Sequence, residues 1–423
     1  MIKRYLLPQD KEVSREVLVL ALPVILSNLS RVFMSVVDVA MVGHLGPAAL
    51  AATGMGAMLF WGALSFMLGI RTAVQTVSAR RLGQGLFNDC GNAFRNGMVL
   101  ALVFAVPVSI AGWGLAEKFV PFFLVDHIAT DLAIDYVSVI FLGLIFSSIS
   151  FVFQGFYTGI EKTRLHMNVT IFSNVLNVYL NAGLIYGSSG IKEFFSDRSP
   201  AIEWLHLFWA WTDFPALGVL GAAIATLIAS TWMAVHYAFY LFTPTIRSKF
   251  NTARFSLDMV MMKKQISIAW PQGFQEVVIA IGWSFFYKIM GIIGLIELAA
   301  TELVFTIMHA SFMPAIGVGQ ACATLVSKYM GEKKIDYASN SIIESLRIAE
   351  YIMGTMGILF LLIPHFFLSF FTNDPNVITM GAFGLRVLGF LQFVDAIGIT
   401  PVSYTHLRAH ETSLHLVCRL LLE

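Results

Sequence analysis

The sequence predicts an all-α polytopic membrane protein built as two pseudo-symmetric helix bundles. Three observations carry the prediction: a composition too apolar for a soluble domain, ten apolar windows long enough to cross a bilayer, and a gapless internal repeat at an offset of 248 residues.

Of the 423 residues 57% are hydrophobic and only 13% charged, with a mean hydropathy of +0.76. Soluble domains carry roughly twice that share of charge, about 25%. The 27 basic and 26 acidic residues nearly cancel, so no global field recruits nucleic acid or an acidic partner. Cys90, Cys322 and Cys418 are isolated, odd in number and outside any CxxC spacing, which argues against a disulfide framework or a zinc site. The start, "MIKRYLLPQDKEVSREV", is polar and leads into no short cleavable apolar core, so the first span is expected to be retained as a helix.

A helix needs about 20 mostly apolar residues to cross the hydrocarbon core. Such windows fall near 17–42, 49–79, 95–116, 133–157, 165–187, 216–243, 264–290, 296–326, 340–366 and 377–399. The N-terminus and every second connection hold eighteen Lys and Arg, from Lys3 to Arg347, whereas the opposite connections hold only Lys118, Lys192 and Arg198. Basic residues stay in the cytoplasm, so the N-terminus is expected there. The longest connection, 188–215, is rich in Trp and Phe; it is expected outside, as an interfacial element resting at headgroup level, with a functional lid as the alternative.

Sliding the chain on itself by 248 residues superposes Pro23 on Pro271, Gly43 on Gly291, "LAAT" at 50–53 on "LAAT" at 298–301, Gly69 on Gly317, Ala73 on Ala321 and Gly83 on Gly331. One offset over two helices and their hairpin marks duplicated halves. Six spans separate the copies, an even number, so the repeats are parallel and their pseudo-two-fold axis runs along the membrane normal. Two lobes with a cavity between them suit alternating access. An intramembrane enzyme would need a catalytic cluster, and the chain shows no HExxH and no GxSxG on a helix.

The stretch "LALPVILSNLSRVFMSVVDVAMVGHLGPAALAATGMG" with "SARRLGQG" resembles the opening of multidrug and toxic compound extrusion (MATE) transporters. "FQGFYTGIEKTR", "SNVLNVYLNAGLIYG" and "GVLGAAIATLIAS" agree with it, and the resemblance covers roughly 15 to 399. It implies a cation-coupled antiporter of two six-helix lobes, exchanging H+ or Na+ for an organic solute, cationic or amphipathic, with no cofactor. Ten spans against the family's twelve imply six helices in the N-lobe and four of an expected six in the C-lobe. The expected organisation is a cytoplasmic N-terminus (1–15), an N-lobe (16–243), a cytoplasmic linker (244–263), a truncated C-lobe (264–399) and a tail (400–423). That tail, "PVSYTHLRAHETSLHLVCRLLLE", resembles the translation of a sequencing-library adapter, and its "HETSLH" is off zincin spacing. The chain as written is therefore expected to be inactive. Its expected partners are a small-molecule solute and membrane lipid, with no nucleic acid; a monomer in the bacterial inner membrane is expected.

Asp38 stands inside the first span. An ionised Asp at the bilayer centre costs about 2.5–3.5 kcal/mol and is functional by default; the alternative is a carboxylate near enough to the helix end to reach water or a backbone partner. The resemblance makes Asp38 the first-helix acid of an N-lobe cation site, with Asn177 and Thr226 as neighbours. Asn174, Asn177 and Asn181 follow i, i+3, i+7 spacing and share one helix face. The place of Asn181 is usually an Asp in the better understood members, so Asp38 lacks a second carboxylate here. Interhelical hydrogen bonding is the competing role for the asparagines.

In the C-lobe, Asp395 aligns with a tenth-helix Asp that some members use for sodium. Glu276, five residues after Pro271, aligns less well with their seventh-helix acid; polar packing is the alternative for both. Pro23 and Pro271 fall early in equivalent helices, where proline bends a helix, and the resemblance links the first to a hinge; a static kink is the alternative. Arg31, Arg71 and Lys288 also lie within spans, where snorkelling or pairing with acids accounts for them without assigning them to substrate. A flippase for lipid-linked oligosaccharides is the first rival function and would show a strongly cationic cavity, whereas only Arg31, Arg71, Lys288 and Arg386 lie within spans. A polytopic membrane enzyme is the second.

Overall fold

Five of the long helices begin at a capping aspartate (Asp10, Asp126, Asp258) or at a proline (Pro47, Pro375), and most end at a glycine or just ahead of a glycine or proline. In the computed structural model, which describes residues 10–405 apart from 125, 199–202, 211, 253–255 and 373, ten long helices run through the chain. They are α1 (Lys11–Gly43), α2 (Pro47–Gly83), α3 (Phe87–Gly114), α4 (His127–Gly159) and α5 (Thr163–Arg198), then α6 (Gly218–Leu241), α7 (Met259–Ile293), α8 (Leu295–Gly331), α9 (Ile335–Leu362) and α10 (Pro375–Thr405). Nine are long and apolar enough to cross a membrane over their described residues; α7, a continuous helix of 35 residues, is outside that count.

Each predicted window maps onto one of these helices. The windows overshoot at 115–116, 216–217, 242–243 and 363–366 because apolarity outlasts the helix. At 363–366 the cause is Pro364, which cannot continue the ladder and instead starts the short helix Pro364–Ser369. In the other direction, α5 runs on to Arg198 across a break at Gly187, whose φ of 72° is open to glycine. The last helix continues to Thr405, six residues past the expected edge of the tail; the remainder of that tail, with "HETSLH", lies outside the described residues.

The duplication is visible in reciprocal contacts. A Cβ on Gly83 would lie 2.0 Å from the carbonyl oxygen of Lys328, and one on Gly331 would lie 2.2 Å from that of Arg80. Gly83 and Gly331, and Arg80 and Lys328, are each related by the 248-residue offset, so these are two copies of one contact across a pseudo-two-fold axis between α2 and α8. Gly69 against Ala269 of α7, and Gly317 against Ile25 of α1, form a second such pair of close approaches. The left-handed residues that close the α2–α3 and α8–α9 turns, Gly85 (φ 73°) and Lys333 (φ 60°), are also equivalent.

The two halves exchange their first helices at the end that carries the basic loops. Val13, Val17, Leu20 and Ala21 of α1 are buried among Ala315, Val318, Leu325 and Met353 of the second half. Met261, Ile268 and Ala269 of α7 are buried in the core of the first half. Lobes read from chain order, 16–243 and 264–399, are thus interleaved here. Two equivalent aspartates cap these helices: Asp10 accepts from the amides of Glu12 and Val13, and Asp258 from those of Val260 and Met261. Each cap is also tied to the opposite half. The Asp258 carbonyl accepts from Asn96 Nδ2 at 2.8 Å, and the Asp10 amide donates to Glu344 Oε1 at 3.3 Å.

Glu344 is buried and chelated by Arg347, whose Nη1 lies 2.7 and 2.6 Å from its two oxygens; Ser14 Oγ also donates to it. Lys328 Nζ meets Glu161 at 2.8 Å, and Gln75 Nε2 donates to the Gln320 carbonyl at 2.8 Å and to Thr324 Oγ1 at 2.9 Å. Together these bonds clamp the halves at the basic end. Toward the other end a Cβ on Gly43, Gly54, Gly62 or Gly282 would meet open space.

Removing one partner of a buried ion pair leaves the other charge uncompensated, at a cost of about 3–5 kcal/mol. Glu344→Gln is therefore expected to lower the unfolding midpoint in detergent substantially, while Gly54→Ala leaves it unchanged. Equal midpoints for the two variants would show that the clamp does not depend on this pair.

Candidate functional site

The polar residues of α5 form a stripe because they recur at three- and four-residue spacing. From the basic end outward it runs His166, Thr170, Asn174, Asn177 and Asn181, facing α1 and α6. Asn177 and Asn181 are each 1% exposed, so water cannot satisfy their amides and other side chains must.

Those partners are the residues singled out in the sequence. Asn181 Nδ2 donates to Asp38 Oδ1 of α1 at 2.5 Å and to Asn177 Oδ1 at 3.0 Å. Asn177 Nδ2 reaches Thr226 Oγ1 of α6 at 3.4 Å, and Thr226 donates in turn to the Ala222 carbonyl at 3.0 Å. Asp38, Asn181, Asn177 and Thr226 are therefore one chain of hydrogen bonds across three helices. Asp38 is half-buried and has the buried ring of Tyr136, from α4, within electrostatic reach. Asn181 Oδ1 is buried with no partner. Turning that amide over would exchange the donor facing Asp38 for an acceptor. Carboxylate, carboxamide and hydroxyl oxygens are the ligands a hard cation takes, and the same carboxylate can hold a proton.

Two contacts extend the seam. Asn174 Nδ2 donates to Ser30 Oγ of α1 at 2.9 Å, and Tyr186 Oη donates to the Met41 carbonyl at 2.6 Å. At the other end of the stripe His166 is fully buried, with Nδ1 2.5 Å from Tyr237 Oη and 3.3 Å from Thr170 Oγ1, while its Nε2 has no partner. Extending the asparagine periodicity two turns back along α5 would have found His166 and Thr170.

The two C-lobe acids are not brought together. Glu276 is half-buried on α7, 3.4 Å from Gln272 Nε2, and α7 packs chiefly on α2. Asp395 is half-buried on α10, which packs on α8 and α9, and it makes no hydrogen bond or ion pair among the described residues. Both α1 and α7 are continuous through Pro23 and Pro271. Pro23 is buried with its carbonyl taken by Ser27 Oγ at 2.8 Å, whereas Pro271 is exposed.

Of the two accounts open for Arg31 and Arg71, snorkelling or pairing with acids, pairing is not seen among the described residues. Neither has a carboxylate at ion-pair distance among the described residues. Arg71 lies over the Phe151 ring at 5.8 Å with a buried, unpartnered Nε. Lys288 is exposed, as snorkelling requires. In the 188–215 connection, the helix Glu203–Trp209 folds back on α5: Trp209 stacks on Tyr179 at 5.1 Å and its Nε1 donates to the Tyr179 carbonyl at 2.9 Å. Trp204, Leu207 and Phe208 are left exposed.

A helical multi-pass protein with parallel duplicated halves, and a half-buried, hydrogen-bonded carboxylate between helices, is a membrane transporter by architecture. The chain belongs to the MatE family, whose model matches twice, over 23–182 and over 274–415, once in each half. It is 26% identical over 406 residues to the probable multidrug resistance protein NorM of Thermotoga maritima, covering 95% of this chain and 81% of that one. It is 26% identical over 385 residues to the multidrug resistance protein NorM of Burkholderia vietnamiensis, covering 89% and 77%. Among solved structures, a transporter of the MOP superfamily from Pyrococcus furiosus, described as having a binding pocket of reverse polarity, superposes with a TM-score of 0.81 at 19% identity, covering 93% of this chain and 82% of that one. An outward-facing multidrug resistance MATE transporter gives 0.80 at 20%, covering 92% and 82%. These relatives are named as transporters and not as enzymes.

The short Asn181–Asp38 bond predicts energetic coupling. Charged-group hydrogen bonds contribute about 1.5–3 kcal/mol, against about 0.6 for an average intramembrane pair. A double-mutant cycle of Asp38→Asn and Asn181→Leu, read by unfolding in detergent, is expected to give a coupling above 1 kcal/mol. Additive single mutants would show that the two side chains do not act together.

Proposed function

We propose that this chain is a secondary active efflux transporter that exchanges H+ or Na+ for an organic solute, cationic or amphipathic, by alternating access between its halves. The observation that carries the reading is the bonded chain Asp38–Asn181–Asn177–Thr226, an ion-binding chemistry held between three helices. Multidrug resistance in the named relatives supports the solute class. On this reading the basic end is cytoplasmic, the N-terminus with it, in a bacterial inner membrane, and the clamped basic end corresponds to an outward-facing state.

Loading the carboxylate changes what it needs from its neighbours. Ionised, Asp38 accepts from the Asn181 amide. A protonated Asp38 must donate, and the Asn181 oxygen, which lacks a partner, is the acceptor at hand once the amide turns. A sodium ion would instead draw on the oxygens of Asp38, Asn181 and Asn177 with Thr226. Either event withdraws the Asn181 amide from Asp38, and so alters how α1 is held to α5. A ligand biases two conformations only through different affinities for them, and this rearrangement supplies such a difference. Pro23, buried in α1, is the proposed hinge that lets the helix respond; Pro271 is its counterpart in α7. Asp395 and Glu276 are proposed as secondary ion-linked residues, each acting on its own helix.

The relatives' names, multidrug resistance proteins and a multidrug resistance MATE transporter, support efflux over the flippase and enzyme readings. The test is export of a fluorescent organic cation from proteoliposomes made with the full-length gene product, under an imposed pH gradient and separately under a sodium gradient. Export driven by one of the two is expected, with Asp38→Asn reducing it at least tenfold while the variant still purifies as folded protein. Gradient-driven export that survives Asp38→Asn would remove Asp38 from the coupling.

A further inference from the structure

Along α1 the buried side chains stop at Asn28 and resume only at Val42. Over 29–41 none is buried, and Phe33, Val36 and Val39 are exposed. The stretch that carries Asp38 is therefore held by polar contacts and not by a packed core, and lipid supplies no hydrophobic drive to keep it in place.

Three hydrogen bonds join that stretch to α5, and all three keep one register. Asn174 Nδ2 donates to Ser30 Oγ at 2.9 Å, Asn181 Nδ2 to Asp38 Oδ1 at 2.5 Å, and Tyr186 Oη to the Met41 carbonyl at 2.6 Å. Each donor lies 144, 143 and 145 positions after its partner in turn, as two parallel helices in fixed register require. The outer two bonds are neutral and flank the acid, one about two turns before it and one about a turn after. Tyr186 is itself firmly seated. The next residue, Gly187, breaks α5 with φ 72°, and there the Ser188 amide donates to the Phe214 carbonyl at 3.1 Å and the Leu217 amide to the Leu184 carbonyl at 2.8 Å. The 248-residue offset places Val278, Phe286 and Ile289 at the positions of Ser30, Asp38 and Met41. Thus α7 carries neither the hydroxyl nor the acid, and the bonded stretch occurs only in the half that has the carboxylate.

We propose that Tyr186 and Ser30, with its donor Asn174, are positioning residues that hold the register of α1 on α5 and thereby set how tightly Asp38 takes its ion. The inference deepens the transporter reading and rests on it for the ion. A slip of one residue, about 1.5 Å along and 100° around the helix, carries Asp38 away from the Asn181 amide. Ionised Asp38 then loses its donor, so a proton binds more tightly. For sodium the effect is opposite, because the oxygens of Asp38, Asn181, Asn177 and Thr226 no longer converge. The other charged or titratable groups beside this stretch are Tyr136 of α4, within electrostatic reach of Asp38, Arg31, next to Ser30, and His44, whose exposed ring has Nδ1 2.7 Å from the Ala40 carbonyl. The substitutions below leave all three in place.

Carbodiimide labelling reads the occupancy of Asp38 without transport, since the reagent takes a protonated carboxyl and a bound sodium ion blocks it. Labelling of the Asp38 peptide by dicyclohexylcarbodiimide in the purified full chain, read by mass spectrometry, is titrated with pH and separately with sodium at fixed pH. Where the ion is H+, Tyr186→Phe and Ser30→Ala are each expected to lower the proton concentration for half-labelling by about threefold or more, the effect of losing one ordinary hydrogen bond. Where it is Na+, each is expected to raise the sodium concentration for half-protection by the same factor. Ser30→Thr keeps the hydroxyl, and Tyr179→Phe removes a phenol hydroxyl from the same helix where it donates to the Phe208 carbonyl; both are expected to stay close to wild type. A smaller shift or one of opposite sense in either Tyr186→Phe or Ser30→Ala, or an equal shift in Tyr179→Phe, overturns the proposal. Wild-type labelling that titrates normally beside unmoved variants overturns the positioning alone. Wild-type labelling that ignores both ions overturns it together with the ion site of the transporter reading.

Discussion

Two backbones pressed together at a single point set the geometry of the molecule. At the crossing of α2 and α8 the carbonyls of Arg80 and Lys328 occupy the space where Gly331 and Gly83 would otherwise carry side chains. Any larger residue would separate the halves by an atom's width. Without a hydrophobic drive between helices in lipid, close approach and hydrogen bonds are what hold them. From this crossing follow the Gln75 and Lys328 bonds across the interface and the exchange of the first turns of α1 and α7. The exchange has a mechanical consequence. Because α1 is anchored in the second half through Asp10, Ser14 and Glu344 and lined against α5 through Asp38 and Ser30, it connects the clamp to the hydrogen-bonded polar seam within one helix.

The same duplication that makes the scaffold symmetric leaves the chemistry one-sided. In the first half, α5 and α6 lie beside α1 and supply the amides and hydroxyl that satisfy Asp38. In the described second half, α7 turns its contacts toward α2 and only loosely toward α8, so Glu276 and Asp395 have no comparable neighbours. An intramembrane carboxylate is kept only where its surroundings compensate it, and the compensation here lies on α5. The stripe from His166 to Asn181 then runs along the seam beside α1, bonded to Ser30 and Asp38 of that helix.

Side-chain placement, which helix-by-helix patterns do not contain, decides which of the polar residues meet. Asn181, where an acid is usual in the family, looked like a weakness of the site; it is the residue that bonds Asp38 directly. Arg31 and Arg71, for which snorkelling or pairing with acids were the two accounts, have no carboxylate at ion-pair distance among the described residues. Glu276 and Asp395 share a half of the chain but sit on helices that do not pack against each other. The windows drawn from apolarity ran past Leu241 and Leu362 because hydropathy registers the solvent a residue prefers, while the helix ends where the backbone ladder ends.

The sequence by itself determined the class of fold, the existence of the duplication, and the short list from which the site is drawn. Each of these rests on local or periodic properties: transfer free energy along a window, one constant offset between copies, and the three- and four-residue spacing of polar groups on one helix. Which members of the list meet was decided only by the tertiary structure. Whether Asp38 finds an amide, whether Arg31 finds a carboxylate, and whether Gly83 touches the opposite half all depend on the rotation of helices that are far apart in the chain. That rotation is set by packing between helices, and no single helix's sequence contains it.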